Sequence, residues 1–194
     1  MAYAKYKNGN ILEIRAAQKV GSTTIHSILR ESLRLDYNTQ DIKQYYAKKL
    51  KHYSSVPTHK IAIIRDPIDR LKSVYSDRVL KKNRNGSRGI IKDWNDFVVN
   101  LERYKSQFPD INQHTRPQSL LHTDMDQYNK VFYVREISTK LLDYIYEIGN
   151  VRLDPIHKKS SNSEKRNIVV TDQHKKLIRK YYEEDYALLK NYFT

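Results

Sequence analysis

The chain has 194 residues, the size of one ordinary domain and long enough to bury a true core. With 36 Lys and Arg against 22 Asp and Glu it carries a formal charge of +14, and 39% apolar with 30% charged residues describe a folded protein whose surface favours anions. The absence of cysteine excludes a disulfide framework, a thiolate zinc site and a cysteine nucleophile.

Ile11 to Ala17 (ILEIRAA) reads as a short strand, and Ile25, Ile28, Leu29 and Leu33 recur at helical spacing between Thr23 and Leu35. Gln40 to Tyr53 reads as a second helix, basic and rich in tyrosine. Lys60 to Ile64 (KIAII) is a continuous apolar run, as expected of a strand covered on both faces. Pro67 stands where a helix can open without losing a hydrogen bond, and Ile68, Leu71, Val74, Tyr75 and Val79 supply its apolar face. Lys81 to Gly89 is a polar, basic loop. Lys130 to Val134 (KVFYV) is a third strand, followed by a helix from Ile137 to Ile148 closed by Gly149. A second basic loop, His157 to Asn167, precedes a long terminal helix from Thr171, its N-cap, to about Tyr192.

Strand and helix thus alternate three times without an internal repeat. The fold class expected is α/β: a single domain over residues 1–194, with a central parallel sheet flanked by helices. No apolar run nears the roughly 20 residues that cross a bilayer. The first ten residues, MAYAKYKNGN, lack a signal-peptide core, so a soluble, cytoplasmic protein without membrane contact is expected.

In parallel sheets ligands gather beyond the carboxyl ends of the strands. After the first strand comes Gln18-Lys19-Val20-Gly21-Ser22-Thr23-Thr24, leading into a helix. Gly21 allows a tight turn and close backbone approach, the helix start offers free N–H groups, and Lys19, Ser22, Thr23 and Thr24 add a charge and hydroxyls. This is an anion cradle, although the lysine precedes the glycine and the Walker order is absent. The plainer alternative is an ordinary turn capped by Ser22. After the second strand comes Arg65-Asp66-Pro67, with Arg70 and Ser73 in the following helix. Arg65 is expected at the sheet edge beside that first site, where a guanidinium can fork onto a phosphate, and Ser73 follows just over two helical turns on. The alternative pairs Arg65 with Asp66 or Asp69 and buries Ser73 as a small packing residue.

QKVGSTT followed by IIRDPIDRLKSVYSDR resembles the sulfotransferase family, and more closely its carbohydrate branch of the chondroitin and HNK-1 type. The similarity extends through Asn112 to Leu120 (NQHTRPQSL), Tyr128 to Glu136 (YNKVFYVRE), Leu153 to Ser160 (LDPIHKKS) and the terminal YYEEDYALLKNY. It implies the family's fold, akin to P-loop nucleotide-binding proteins, and the donor PAPS (3′-phosphoadenosine 5′-phosphosulfate). It also implies that Lys19, Val20, Gly21, Ser22, Thr23 and Thr24 bind the 5′-phosphosulfate, and Arg65 and Ser73 the 3′-phosphate. The family usually has proline where Gln18 stands, and the anchor and cysteines of its Golgi relatives do not appear here.

Transfer of a sulfuryl group in line with a departing phosphate rests on positioning and charge stabilisation. Lys19 suits the charge that grows on the bridging oxygen as PAP (adenosine 3′,5′-bisphosphate) departs, and no metal is expected. His114 is the first candidate for the general base, since it lies in the segment similar to His-x-x-Pro-Gln; a structural hydrogen bond is the alternative. His157 and Glu136 are rivals, Glu136 against a salt-bridge role. His52 and His59 do not have zinc spacing. Lys81, Lys82, Arg84, Arg88, Lys158, Lys159, Lys165 and Arg166 are either solvated loop charge or a rim that steers an anionic acceptor. The acceptor expected is a hydroxyl, on a glycan. A basic nucleic-acid-binding module is the contrasting reading, opposed by dispersed charge and by the absence of any known nucleic-acid motif. A P-loop kinase is opposed by the missing Walker order.

Overall fold

The computed structural model describes residues 2–32, 56–81, 89–155 and 168–192. In chain order the elements are β1 (Ala2–Lys5), β2 (Ile11–Ala16), α1 (Ser22–Ser32), β3 (His59–Ile64), α2 (Pro67–Val74) and a π-helical segment (Tyr75–Lys81). Then follow α3 (Trp94–Val99), α4 (Leu101–Gln107), α5 (Pro109–Thr115), β4 (Lys130–Tyr133) and a 3₁₀ turn (Val134–Glu136). The chain continues through α6 (Lys140–Gly149), α7 (Asp172–Tyr181), α8 (Glu183–Leu189) and a 3₁₀ turn (Lys190–Tyr192). The expected helix at Gln40–Tyr53 lies outside the described residues.

The residues group into two compact units, Met1–Ile64 with Asp124–Lys158, and Arg65–Thr123 with Lys159–Thr194. The first holds a four-stranded sheet in the order β1-β2-β3-β4. β2, β3 and β4 run parallel, and β1 is antiparallel to β2. All three expected strands are present within a residue or so of their bounds. β1 was not anticipated: four residues returning through a turn at Gly9, with Tyr6 N–H donating to the Asn10 carbonyl at 2.9 Å, carry too little alternation to register. Ile61 to Ile64 are fully buried, as a continuous apolar run predicts. Ile61 and Ile63 pack with Leu12 and Ile14 of β2, Ile25, Ile28 and Leu29 of α1, and Leu141 and Ile145 of α6.

The helix after β4 starts later than its sequence suggested, at Lys140, because Val134–Glu136 forms a 3₁₀ turn first. Its C-cap is Asn150 in the left-handed region (φ 52°), and Gly149 is its last helical residue. Gly149 serves close packing instead: a Cβ there would lie 2.7 Å from Cδ1 of Tyr6.

The second unit is helical around a separate core of Leu71, Val74, Tyr75, Trp94, Phe97, Tyr104, Ile178 and Tyr182. Trp94 meets Tyr75 edge-on at 5.5 Å, and Phe97 stacks with Tyr104. Asp66 caps α2, its Oδ1 accepting from the N–H groups of Ile68 (2.8 Å) and Asp69 (3.1 Å), with Pro67 at the first helical position as expected. Thr171 caps α7 in a box with His174. The long terminal helix is divided at Tyr182. Among the described residues no helix is long and apolar enough to cross a membrane.

Candidate active site

The first cradle belongs to the sheet unit. β2 ends at Ala16, and five residues later the chain is helical. Two of those five take left-handed backbone, Lys19 (φ 66°) and Gly21 (φ 86°). A Cβ on Gly21 would stand 2.7 Å from Cδ1 of Ile137 and 3.2 Å from Cγ2 of Val134, so both conformation and space demand glycine. Val20, fully buried, pins the turn to the core. The Gly21 carbonyl accepts the N–H of Ile25 at 3.0 Å, which starts α1. Helix geometry leaves the N–H groups just before that bond without intrahelical acceptors. Ser22 and Thr23 are exposed there, Thr24 and Lys19 half-buried, and the first turn of α1 holds no acidic residue. The positive end of the helix is thus presented with hydroxyls and with no acidic residue in its own first turn, which suits a phosphate or sulfate.

Arg65 follows β3 directly and is the first residue of the helical unit. Its peptide is gripped at both ends by one side chain. Arg65 N–H donates to Oε1 of Gln118 at 3.0 Å, and Nε2 of Gln118 donates to the Arg65 carbonyl at 2.7 Å. Gln118 is fully buried, as is Asp185, whose Oδ2 lies 3.4 Å from Nε2 of Gln118 and whose Oδ1 accepts the Ser119 N–H at 2.8 Å. Burial lowers the pKa of the Arg65 guanidinium against the opposing pull of Asp69 and Asp66, and an arginine so placed stays charged. Asp66 spends Oδ1 on the helix cap and receives the Tyr186 hydroxyl on Oδ2 at 3.4 Å. Ser73 is buried on the inward face of α2 beside Leu71 and Val74. Arg70 is a structural residue: buried, it donates to the carbonyls of Arg116 (2.5 Å) and Thr115 (3.3 Å) and lies over the Tyr182 ring at 5.4 Å.

His114 lies in the last turn of α5. It is buried; Nδ1 stands 2.7 Å from the Asp110 carbonyl and Nε2 2.5 Å from Nη2 of Arg78. A guanidinium only donates, so Nε2 is the acceptor and Nδ1 carries the proton. Arg78 also pairs with Asp77 and Asp110, each at 3.3 Å. His114 is therefore tied into an ionic cluster with half-buried carboxylates, and taking a proton from a substrate hydroxyl requires Arg78 to release Nε2. Glu136 accepts the Tyr133 N–H at 2.8 Å and pairs with Lys140 at 2.6 Å. Burial pushes its pKa up, but the hydrogen bonds from Lys140 and Tyr133 outweigh it and hold the carboxyl below its ordinary value. A carboxylate so stabilised is a weak base. Lys81 is exposed at the end of the π-helical segment. His52, His157, Lys82, Arg84, Arg88, Lys158, Lys159, Lys165 and Arg166 lie outside the described residues.

Gln118 and Asp185 received no role from the sequence, although both fall within segments that carry the family resemblance. Neither residue type advertises itself: a buried amide and a buried carboxylate look like ordinary polar residues until their partners are known.

A model of the sulfotransferase family matches residues 14–192. Searches of curated proteins and of solved structures return no match. The family match runs through both units, from within β2 to the final turn, and includes both the cradle before α1 and the Arg65 corner. The chain belongs to the sulfotransferase family and is a sulfuryl-transferring enzyme.

Proposed function

We propose that one catalytic domain spanning residues 1–194 transfers the sulfuryl group of PAPS to a carbohydrate hydroxyl, with PAP as leaving group. Lys19, Val20, Gly21, Ser22, Thr23 and Thr24 hold the 5′-phosphosulfate, and Arg65 with Ser73 holds the 3′-phosphate. The observation that carries this reading is one of register. β2 and β3 are parallel neighbours with Ala16 opposite Ile63, so the strand that feeds the cradle and the strand that runs into Arg65 end at the same edge of the sheet. The chemistry of the residues fits the donor: a helix start without acidic residues for one anion, and a charged, partly desolvated guanidinium for the other.

When bound, PAPS supplies an electrophilic sulfur and a phosphate leaving group. Lys19 then neutralises the charge that grows on the bridging oxygen, helped by the hydroxyls of Ser22, Thr23 and Thr24. The acceptor hydroxyl loses its proton to a base; His114 fills that role once Nε2 is freed from Arg78. The acceptor is a glycan, and the protein's charge of +14 favours one that is itself anionic.

Calorimetric titration of PAP into wild type and Arg65→Ala tests the donor assignment. Wild type is expected to bind PAP and to prefer it over ATP and GTP, and the variant to lose at least about tenfold in affinity, as expected when a charge-assisted fork is removed. A folded wild type that binds no PAP overturns the reading.

A further inference from the structure

We infer that Gln118, oriented by Asp185, is a positioning residue that presents Arg65 to the 3′-phosphate; the inference rests on the donor site proposed above. β3 stops at Ile64, and with it the pairing to β4, whose last register pair is Ile64 with Tyr133. The next peptide, at Arg65, would leave the ladder without partners. The Gln118 amide takes their place, accepting from the Arg65 N–H and donating to its carbonyl. One primary amide thus pairs with both backbone groups of one residue, as a neighbouring strand would. With both groups fixed, the direction in which the Arg65 side chain leaves the backbone is fixed too.

Only one amide orientation allows this, and Asp185 selects it. A carboxylate accepts and does not donate, so it faces the NH₂ end of Gln118 and leaves the oxygen for Arg65 N–H. Asp185 is held in turn by the Ser119 N–H. Every atom in the chain from Asp185 to Gln118 to Arg65 is committed in one sense. Gln118 and Asp185 are both fully buried, so water is a poor substitute for either. Asp185→Asn keeps the shape but brings a donor to face a donor, either at Gln118 or, if the new amide turns, at Ser119.

Arg65 is the assigned partner of the 3′-phosphate, so the test compares PAP with adenosine 5′-monophosphate, which lacks that group. Both ligands are titrated into wild type, Gln118→Ala and Asp185→Asn, each variant first checked for a cooperative unfolding transition. PAP affinity is expected to fall about tenfold in Gln118→Ala and somewhat less in Asp185→Asn, while affinity for the monophosphate changes less than about twofold. A merely structural role lowers both affinities alike, and that result overturns the inference. Unchanged PAP affinity in a folded variant overturns it as well. Should Gln118→Ala fail to fold, Asp185→Asn, which conserves volume, decides the matter by the same comparison. If wild type binds PAP no more tightly than the monophosphate, the assignment of the 3′-phosphate to Arg65 fails first, and the positioning role with it.

Discussion

Gly21 concentrates two demands in one residue: a left-handed backbone and a missing side chain where Ile137 closes to 2.7 Å of the would-be Cβ. Gly21→Ala is expected to destabilise the protein by about 1–3 kcal/mol and to weaken PAP binding, measured by urea unfolding and calorimetry. Lys19 adopts a similar conformation without being glycine, which costs roughly 1–2 kcal/mol of backbone strain. The strained residue is the one assigned to the departing phosphate, a placement common at active sites. The sequence made this turn legible because glycine, lysine and hydroxyls between a strand and a helix carry their physics locally. Ile137 was not legible as its neighbour, since that contact is made only when the chain returns after β4. The same reason hid Gln118: an amide gripping a peptide more than fifty residues away leaves no local pattern. The Arg78 contact on the His114 ring was hidden for the same reason, since it joins residues thirty-six apart.

At the level of elements, α2 stands on its cap. Asp66 both satisfies two N–H groups at the start of α2 and adjoins Arg65, so Asp66→Ala is expected to lower stability by about 0.5–2 kcal/mol, and Asp66→Asn by much less. Thermal unfolding of the two variants side by side checks this. Pro67 announced the helix start, and Asp66 before it is a common cap residue. The π-helical continuation from Tyr75 to Lys81 was not announced. It buries Tyr75, Ser76, Arg78 and Val79. The terminal helix is divided at Tyr182. Apolar spacing runs on through residue 182; the Tyr182 hydroxyl donates to the Thr115 carbonyl at 2.8 Å and its ring lies beneath Arg70.

For the whole molecule, the two cores share a vulnerability to alkali. Tyr6 in the sheet unit and Tyr182 in the helical unit are buried, and burial pushes each hydroxyl from 10.0 up to about 12. The folded state therefore holds these protons more tightly than the unfolded chain. Their contribution to stability is complete below about pH 10 and is lost as pH rises towards 12. Tyr182→Phe is expected to flatten the fall in stability between those values while costing about 1 kcal/mol at neutral pH, for the hydrogen bond to Thr115. Denaturation midpoints taken along a pH series check both. The alternation of strands and helices that defines the α/β class was legible throughout, because a buried parallel strand such as KIAII cannot disguise its composition. The division into two packed cores was not, since both are drawn from the same apolar alphabet. The sheet also bears on how the protein behaves in crowded solution. Its inner strands, β2 and β3, have six residues each, whereas the outer ones, β1 and β4, have four, and each outer strand bears an exposed terminal lysine, Lys5 or Lys130. Short, cationic margins offer little template for a stray strand, and like-charged copies repel one another before their margins can meet, a safeguard against fibrous aggregation.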